Sequence, residues 1–277
     1  MTRTRLATEA RAGTRHRHIM GESGAGAWPG WYAACVIASA EKIPGTQRVS
    51  QLLAPYSGTP LAAELLEQIF IYLNILIKWN RRINLTAIRE PEKIVCRHFG
   101  ESLFAARALL SPEGPAREVP DLALPGRESV ASVIDVGSGA GFPGMVLKLY
   151  APGVRMTLIE SQGKKATFLR ELTRSLGLSD VSVVQERAER FSSTSAGATT
   201  ALAGHPGGRA EVVTLRAVEK FADVLPVAAS LVLPGGRLGA LIGSGQLGQA
   251  AKILPGSWRS LPMPQSASRV LAIWTAT

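Results

Sequence analysis

A glycine-rich stretch holds the residues whose types and spacing are most suggestive of chemistry. Residues 133–144, VIDVGSGAGFPG, place four glycines after a short apolar run that contains one aspartate. Glycine permits backbone conformations closed to other residues and lets a ligand approach the chain closely. Gly139, Gly141 and Gly144 have the spacing G-x-G-x-x-G, which is typical of a dinucleotide-binding turn. The stretch can also be interpreted as Asp135 followed by glycines at alternate positions, so two classes of ligand compete for it.

The chemistry of the two ligands separates these interpretations. A pyrophosphate binds the amides of a helix N-terminus and gains nothing from a nearby carboxylate. S-adenosylmethionine has no phosphate, and Asp135 helps to balance the positive charge of its ammonium and sulfonium groups. Asp135 followed by Gly137, Gly139 and Gly141 also resembles the first motif of class I S-adenosylmethionine-dependent methyltransferases. We therefore expect this methyl donor, with Asp135, Gly137 and Gly139 in its site.

Two further acidic residues follow later predicted strands. Glu160 ends the second strand, and its carboxylate is expected to bind both ribose hydroxyls of the donor. Glu189 lies just beyond the third strand, where a side-chain oxygen is expected to accept from the adenine amino group while the Ala188 amide donates to a ring nitrogen. Each acid alone also fits a solvated surface residue. Three acids in chain order at strand ends favour a methyltransferase.

The elements that must position these residues alternate between strand and helix. The predicted strands are 132–137, 155–160, the start of 181–191, 211–218, 236–243 and a closing strand in 268–277, with helices at 143–150, 164–176 and 221–231. Alternating units of this kind predict a parallel sheet whose ligand lies at the carboxyl ends of the strands. We expect a Rossmann-like α/β fold, with a central, mostly parallel sheet and helices on both faces.

The chain before the glycine loop divides into three segments. Residues 1–58 lack sustained periodicity and are predicted to be a disordered basic extension. Residues 59–110 form a small helical N-terminal region, with helices predicted over 61–79 and 91–110 from their apolar stripes. Residues 111–130 are a linker rich in Pro, Gly and Glu, and 192–210 are a low-complexity loop. The S-adenosylmethionine-binding domain then extends over 131–277.

Composition narrows the class of protein and of partner. The formal net charge is +10 and the pI is about 10.1 over 277 residues, which favours a polyanionic partner, nucleic acid first. Cys35 and Cys96 stand in unlike contexts and the four histidines are scattered, so neither a metal site nor a disulfide is expected. No apolar run reaches 18 residues, so we expect no membrane span and a cytoplasmic protein.

The end of the fourth strand restricts the atom that receives the methyl group. Enzymes that methylate exocyclic amines typically carry Asn/Asp-Pro-Pro-aromatic there, whereas this chain has TLRAV at 214–218. Cytosine C5 methylation needs a thiolate nucleophile, and neither Cys35 nor Cys96 lies near a strand end. Guanine N7 has an exposed lone pair and needs no general base, so alignment of the reactants is sufficient. We therefore expect no catalytic base.

A resemblance gives this reasoning a specific substrate. WNRRINLTAI and RHFGESL within 79–103, followed by DVGSGAGFPG, LIESQGKKATFLREL and RAV, resemble the GidB/RsmG family over residues 65–243. The resemblance implies methylation of N7 of a guanosine in the decoding-site loop of bacterial 16S ribosomal RNA. It also implies 16S rRNA or the small ribosomal subunit as partner, with no DNA or membrane partner, and we expect a monomer.

The same resemblance implies particular contacts to the donor. The cofactor contacts that it carries over are Gly137, Phe142, Ala188, Glu189 and Arg216. Arg216 is the best candidate for a residue near the reacting centre, where its guanidinium contacts the donor carboxylate or an RNA phosphate. An ordinary salt bridge at the strand end remains the alternative for this side chain.

The helical region carries the residues expected on the RNA side. Asn84, Thr86, His98, Glu101 and Ser102 match the family signature, and a hydrogen-bonded structural role is favoured for His98 because it shares an apolar helix face. The candidate phosphate contacts are Lys78, Arg81, Arg82, Lys164 and Lys165, for which plain solvated charge is the alternative.

Some features depart from the family pattern, and rival functions remain open. Ile242 stands where many members have lysine, and TLRAV replaces the commoner Ser-Arg-Ala. The rivals are a methyltransferase acting on another RNA site or substrate, a non-catalytic ribosome-assembly factor with a retained donor pocket, and a nicotinamide-dependent oxidoreductase. The carboxylate series argues against the last of these.

Overall fold

A seven-stranded sheet places the glycine loop at the end of an interior strand. The computed structural model describes residues 43–110, 132–195 and 208–277. The strands are β1 Ser132–Val136, β2 Arg155–Ile159, β3 Val181–Val184, β4 Ala210–Arg216, β5 Val232–Gly243, β6 Trp258–Pro262 and β7 Arg269–Thr275. Their order across the sheet is β3-β2-β1-β4-β5-β7-β6, with β1 to β5 parallel and β7 antiparallel to both neighbours. The expected Rossmann-like, mostly parallel sheet is confirmed.

The strand order creates a crevice beside β1. The chain runs outward from β1 through β2 to β3 and then returns to β4 on the other side of β1. Ligands of open α/β sheets bind where the order reverses in this way, at the carboxyl ends of the strands. The glycine loop follows β1 directly and therefore lies at this switch point.

The central strands are apolar because helices cover both faces of the sheet. All five residues of β1 are buried, as are six of the seven residues of β4, in the manner of parallel strands sandwiched between helices. The helices that follow β1 are α5 Gly144–Tyr150, α6 Gly163–Ser175, α7 Ala188–Ser195, α8 Phe221–Ser230 and α9 Leu247–Ile253. Residues of α7, α8 and α9 share one core cluster with the sheet, while α5 packs against β1 and β2.

The N-terminal region begins earlier than its sequence indicates. A helix, α1, covers Thr46–Ser57, and its Val49, Leu53 and Tyr56 are buried. The prediction of disorder for 1–58 is therefore wrong for residues 46–57, whereas residues 1–42 lie outside the described residues. The buried apolar stripe of this 12-residue helix is short, so its periodic signal is weak, and tertiary packing stabilises the helix.

The two predicted N-terminal helices are present, and the second has an irregular centre. The first, α2, covers Ala63–Asn80. The second consists of α3 Pro91–Ile94, a π-helical segment at Val95–Gly100, and α4 Glu101–Leu110. Short π segments within helices occur frequently at functional sites. Because α4 packs against α5 and β5, the helical region and the sheet share one core.

Two other predicted elements differ in the structure, and two predicted segments fall outside the described residues. The strand expected at the start of 181–191 is limited to Val181–Val184, and α7 occupies 188–195, including the first residues of the predicted loop 192–210. The edge strand β6 was not predicted. The linker 111–130 and residues 196–207 lie outside the described residues. None of the described helices is long and apolar enough to cross a membrane.

Candidate functional site

The glycine loop adopts a conformation that its glycines make possible. Gly137, Gly139 and Gly141 have φ angles of +67°, +56° and +88°, in the left-handed region that L side chains rarely adopt. The amides of Gly137 and Ser138 donate to the carbonyl oxygen of Ile159 over 2.9 and 3.0 Å, so the loop folds over the end of β2. A Cβ at Gly139 would meet no atom closer than 3.8 Å. The backbone there is open to an approaching ligand.

Glu160 holds the loop from the end of β2. Its carboxylate is buried and accepts two backbone hydrogen bonds, from the Gly139 amide at 2.8 Å and the Gln162 amide at 2.7 Å. Each carboxylate oxygen has a further lone pair, so these bonds do not use up the accepting capacity of the group. The residue predicted to bind ribose hydroxyls therefore lies directly beside the open glycine.

Asp135 lies beneath the loop rather than at its open face. Thr214 donates its hydroxyl to one carboxylate oxygen at 2.6 Å, and the Gly144 amide donates to the other at 3.3 Å. Burial raises the pKa of Asp135 to about 6, although hydrogen bonds from Thr214, Ser138 and Gly144 oppose the shift. Both oxygens are thus bonded to protein groups, and the carboxylate joins β1 to β4 and to Gly144, where the loop ends and α5 begins.

Phe142 connects the loop to the helical region. Its buried ring stacks against Tyr72, with centroids 5.1 Å apart, and against His98, at 4.9 Å. Phe99 meets the same ring edge-on at 5.0 Å. The Tyr72 hydroxyl also donates to the carbonyl oxygen of Ala140. The side chain of Phe142, predicted to contact the donor, thus packs between the helices and the loop.

His98 is a neutral, half-buried member of this stack. Its Nε2 lies 2.6 Å from the Thr86 hydroxyl, while its Nδ1 is buried without a hydrogen-bond partner among the described residues. Burial, together with the positive charges of Arg216, Arg97 and Arg269, lowers the pKa of His98 to about 3. The expected hydrogen-bonded histidine is confirmed.

Arg216 anchors the helical region to the end of β4. Its guanidinium donates to the carbonyl oxygen of Arg97 at 2.6 Å and to the carboxylate of Glu101 at 3.1 Å. The side chain is only 8% exposed, and burial lowers its pKa to about 10. Of the roles that the sequence left open for Arg216, the structure contains the salt bridge. Glu101 also pairs with Arg97 and Arg269.

Ala188 and Glu189 stand at the same edge of the sheet as the loop. They begin α7, four residues beyond the end of β3. In the parallel register, Val184 of β3 is level with Ile159 of β2, which precedes Glu160. Ala188 is half-buried and Glu189 is exposed. The amide and side chain predicted to recognise adenine are therefore placed beyond the neighbouring strand end.

The predicted RNA contacts lie on two helices that touch. Trp79 near the end of α2 donates its indole N–H to Glu171 of α6 at 3.1 Å, and its ring contacts Phe168 at 5.7 Å. The basic residues of these helix ends are Lys78, Arg81, Arg82 and Lys164, all exposed, and Lys165, which is half-buried. The structure brings the two basic segments to adjacent helices. Ile242, where the family lysine is missing, is buried in the apolar core of β5.

Several residues of the site carry no signal in the sequence. Tyr72 reaches Ala140 across 68 positions, and Thr214 reaches Asp135 across 79. Arg269, at the start of β7, meets Glu101 although its own segment resembles an ordinary closing strand. These contacts depend on strand order and helix packing, which no local pattern encodes.

The residues of the crevice fit the expected donor. An open glycine backbone, a buried carboxylate with spare lone pairs at the next strand end and helix N-terminal amides beyond β3 are the groups that a nucleoside with an amino-acid arm requires. Near the loop, Asp135 is bonded to protein groups and His98 has a low pKa. The geometry can align two reactants without moving a proton.

Comparison with known proteins agrees with this geometry. The model of the family GidB, rRNA small subunit methyltransferase G, matches residues 65–253. The protein named ribosomal RNA small subunit methyltransferase G from Myxococcus xanthus is 36% identical over 189 residues, which are 68% of this chain and 74% of the relative. Its namesake from Halorhodospira halophila is 39% identical over 183 residues, 66% and 72% of the two chains. The chain thus belongs to the rRNA small subunit methyltransferase G family, GidB.

Proposed function

We propose that this chain transfers a methyl group from S-adenosyl-L-methionine to N7 of a guanosine in the decoding-site loop of bacterial 16S ribosomal RNA. Family membership supports the reaction class and the kind of acceptor. The observation that best supports S-adenosyl-L-methionine as the donor is the position of Glu160. Its carboxylate holds the open backbone of Gly139 at the switch point of the sheet. The proposed reaction takes place at the carboxyl ends of β1, β2 and β4.

The donor contacts in this proposal follow the strand ends. The open backbone at Gly139 receives the methionine part, and Glu160 accepts hydrogen bonds from the ribose hydroxyls. The Ala188 amide and the Glu189 side chain recognise adenine. When bound, the donor supplies a methyl group on a positively charged sulfur. Asp135, Thr214 and Tyr72 keep the loop in the conformation that these contacts need.

Methyl transfer to guanine N7 requires alignment rather than acid–base chemistry. N7 attacks with its own lone pair, so the acceptor loses no proton and the base becomes positively charged. The chain therefore has to hold N7 in line with the methyl group and exclude water, which is a substantial source of rate acceleration. The stack of Tyr72, Phe142 and His98 holds the loop and provides no charged base beside it.

The proposed acceptor complex is the small ribosomal subunit in the cytoplasm, bound by a monomer of this chain. The basic ends of α2 and α6 contact RNA phosphates in this proposal, through Lys78, Arg81, Arg82, Lys164 and Lys165. The overall net charge of +10 supports a polyanionic partner. Binding through phosphates predicts that affinity falls steeply as salt concentration rises.

The test is transfer of radiolabelled methyl from S-adenosylmethionine to small-subunit particles that lack the modification, followed by nucleoside analysis. We expect label in 7-methylguanosine at the decoding-site loop. Glu160→Gln should reduce transfer by weakening donor binding, while Glu219→Gln, at an exposed position after β4, should transfer normally. Label in another nucleoside would contradict the proposed acceptor. Donor binding without any transfer would support the assembly-factor rival.

A further inference from the structure

Three arginines from different elements converge on one buried carboxylate. Glu101, at the start of α4, is 1% exposed and forms ion pairs with Arg216 at 3.1 Å, with Arg97 at 3.4 Å and with Arg269. Arg216 ends β4, Arg97 lies in the π segment and Arg269 begins β7. We call these four residues the Glu101 cluster.

The Glu101 cluster contains more positive than negative charge. Three guanidiniums share one carboxylate, and Asp135 acts on Arg216 only at longer range, with its own oxygens bonded to Thr214 and Gly144. Counting Asp135, the described residues still provide fewer carboxylates than guanidiniums here. Burial, together with the charge of Arg97, lowers the pKa of both Arg216 and Arg269 to about 10. The cluster therefore favours an additional anion.

The hydrogen bonds of the cluster show the same imbalance. The Nε of Arg269 is buried and has no acceptor among the described residues. A buried donor without an acceptor is costly and is rare in native structures. Exposure separates the three arginines, because the Arg216 side chain is 8% exposed, that of Arg269 22% and that of Arg97 45%. Arg216 holds the helices to the sheet, and the other two reach solvent.

The exposed Arg97 and the half-buried Arg269 lie beside the proposed reaction site. In the sheet register Arg216 pairs with Leu241 and Arg269 pairs with Gly243, so both stand at the edge where β4 and β5 end. Arg97 precedes His98, whose ring stacks on Phe142 of the glycine loop. An acceptor strand that presents a base to the loop from this edge would bring its phosphates close to Arg97 and Arg269.

We propose that Arg97 and Arg269, oriented by Glu101, bind a phosphate of the acceptor RNA strand next to the target guanosine. The inference rests on the proposed function and adds a contact outside the basic ends of α2 and α6. Guanidiniums suit this role because their planar N–H groups match phosphate oxygens. The shared carboxylate keeps both side chains in place before the RNA arrives, which reduces the entropy lost on binding.

The experiment compares Arg269→Gln with Arg155→Gln in binding to small-subunit particles that lack the modification. Both changes remove one positive charge, but Arg155 is exposed at the start of β2, on the opposite edge of the sheet. For Arg269→Gln we expect affinity for the particles to fall about tenfold and the slope of log affinity against log salt to decrease by about one. Arg155→Gln should change neither quantity, and S-adenosylhomocysteine should bind both variants as it binds the wild type.

Further measurements keep the outcomes distinct. Arg97→Gln, at the most exposed of the three arginines, should show the same loss of affinity for the particles. This variant tests the phosphate site if Arg269→Gln does not fold. Equal effects of the charge removals at Arg269 and Arg155 would overturn the phosphate site. Weaker S-adenosylhomocysteine binding with unchanged particle affinity would assign the cluster to the donor carboxylate instead. Methyl transfer by the wild type is measured on the same particles, and its absence would overturn the proposed function rather than this contact alone.

Discussion

The hydrogen bond between Thr214 and Asp135 allows a quantitative test of how the loop is held. Both side chains are buried, and the hydroxyl lies 2.6 Å from the carboxylate oxygen. Thr214→Val keeps the volume of the side chain and removes only the donor. A hydrogen bond to an ionised group contributes about 1.5–3 kcal/mol, against about 1 kcal/mol for a bond between neutral groups. We expect Thr214→Val to lower the free energy of unfolding by about 2 kcal/mol at pH 8.

The loss of unfolding free energy caused by Thr214→Val should be larger at high pH than at low pH. The pKa of Asp135 is about 6 in the folded protein and near 3.8 when unfolded, so wild-type stability falls as pH rises from about 4 to about 6. Removing the donor raises the folded pKa further and extends that fall to higher pH. At pH 5, where Asp135 is protonated, the variant should lose only about 1 kcal/mol. The difference of about 1 kcal/mol corresponds to a further pKa rise of roughly 0.7.

The assay is urea denaturation of both proteins at pH 5 and pH 8, with Thr157→Val as the matched control. Thr157 is equally buried in the neighbouring strand β2, but its hydroxyl has no partner among the described residues. Thr157→Val should therefore cost little, and equally at both pH values, because it removes an unsatisfied group. An equal loss for Thr214→Val at the two pH values would refute the charged hydrogen bond as the fastening of the loop.

Three further expectations concern the same site. Glu160→Gln replaces a charged acceptor beside Gly139 and should weaken S-adenosylhomocysteine binding by about 10- to 100-fold in calorimetry; binding equal to that of Glu219→Gln would contradict this. Tyr72→Phe removes the bond to the loop carbonyl and should cost about 1 kcal/mol in unfolding free energy, whereas an unchanged denaturation midpoint would show that bond to be dispensable. His98 has a pKa of about 3 when folded and 6.5 when unfolded, so its contribution to stability is lost as pH falls below about 6.5; denaturation curves of His98→Asn should lack that component, and an unaltered pH dependence would contradict it.

The sequence alone predicted much of the architecture because its signals are local. The apolar runs at β1 and β4, the glycines after Asp135 and the stripe of α2 each follow from backbone or packing rules that act within a few residues. They were sufficient to predict a mostly parallel sheet with its ligand loop after the first strand. Helix α1 and strand β6 were not predicted, because their residues form stable elements only when packed against the rest of the chain.

The candidate site divides in the same way. Glycine spacing and the acids at strand ends indicated a methyl donor, and the resemblance in RHFGESL indicated the family, since these are properties of contiguous residues. The direction of the Asp135 carboxylate, the Phe142 stack and the convergence of Arg216 and Arg269 on Glu101 were decided by the tertiary structure. Such contacts join residues far apart in the chain, and Glu101 and Arg269 are separated by 168 positions. Their energies depend on burial and charge that exist only once the sheet and the helices have come together.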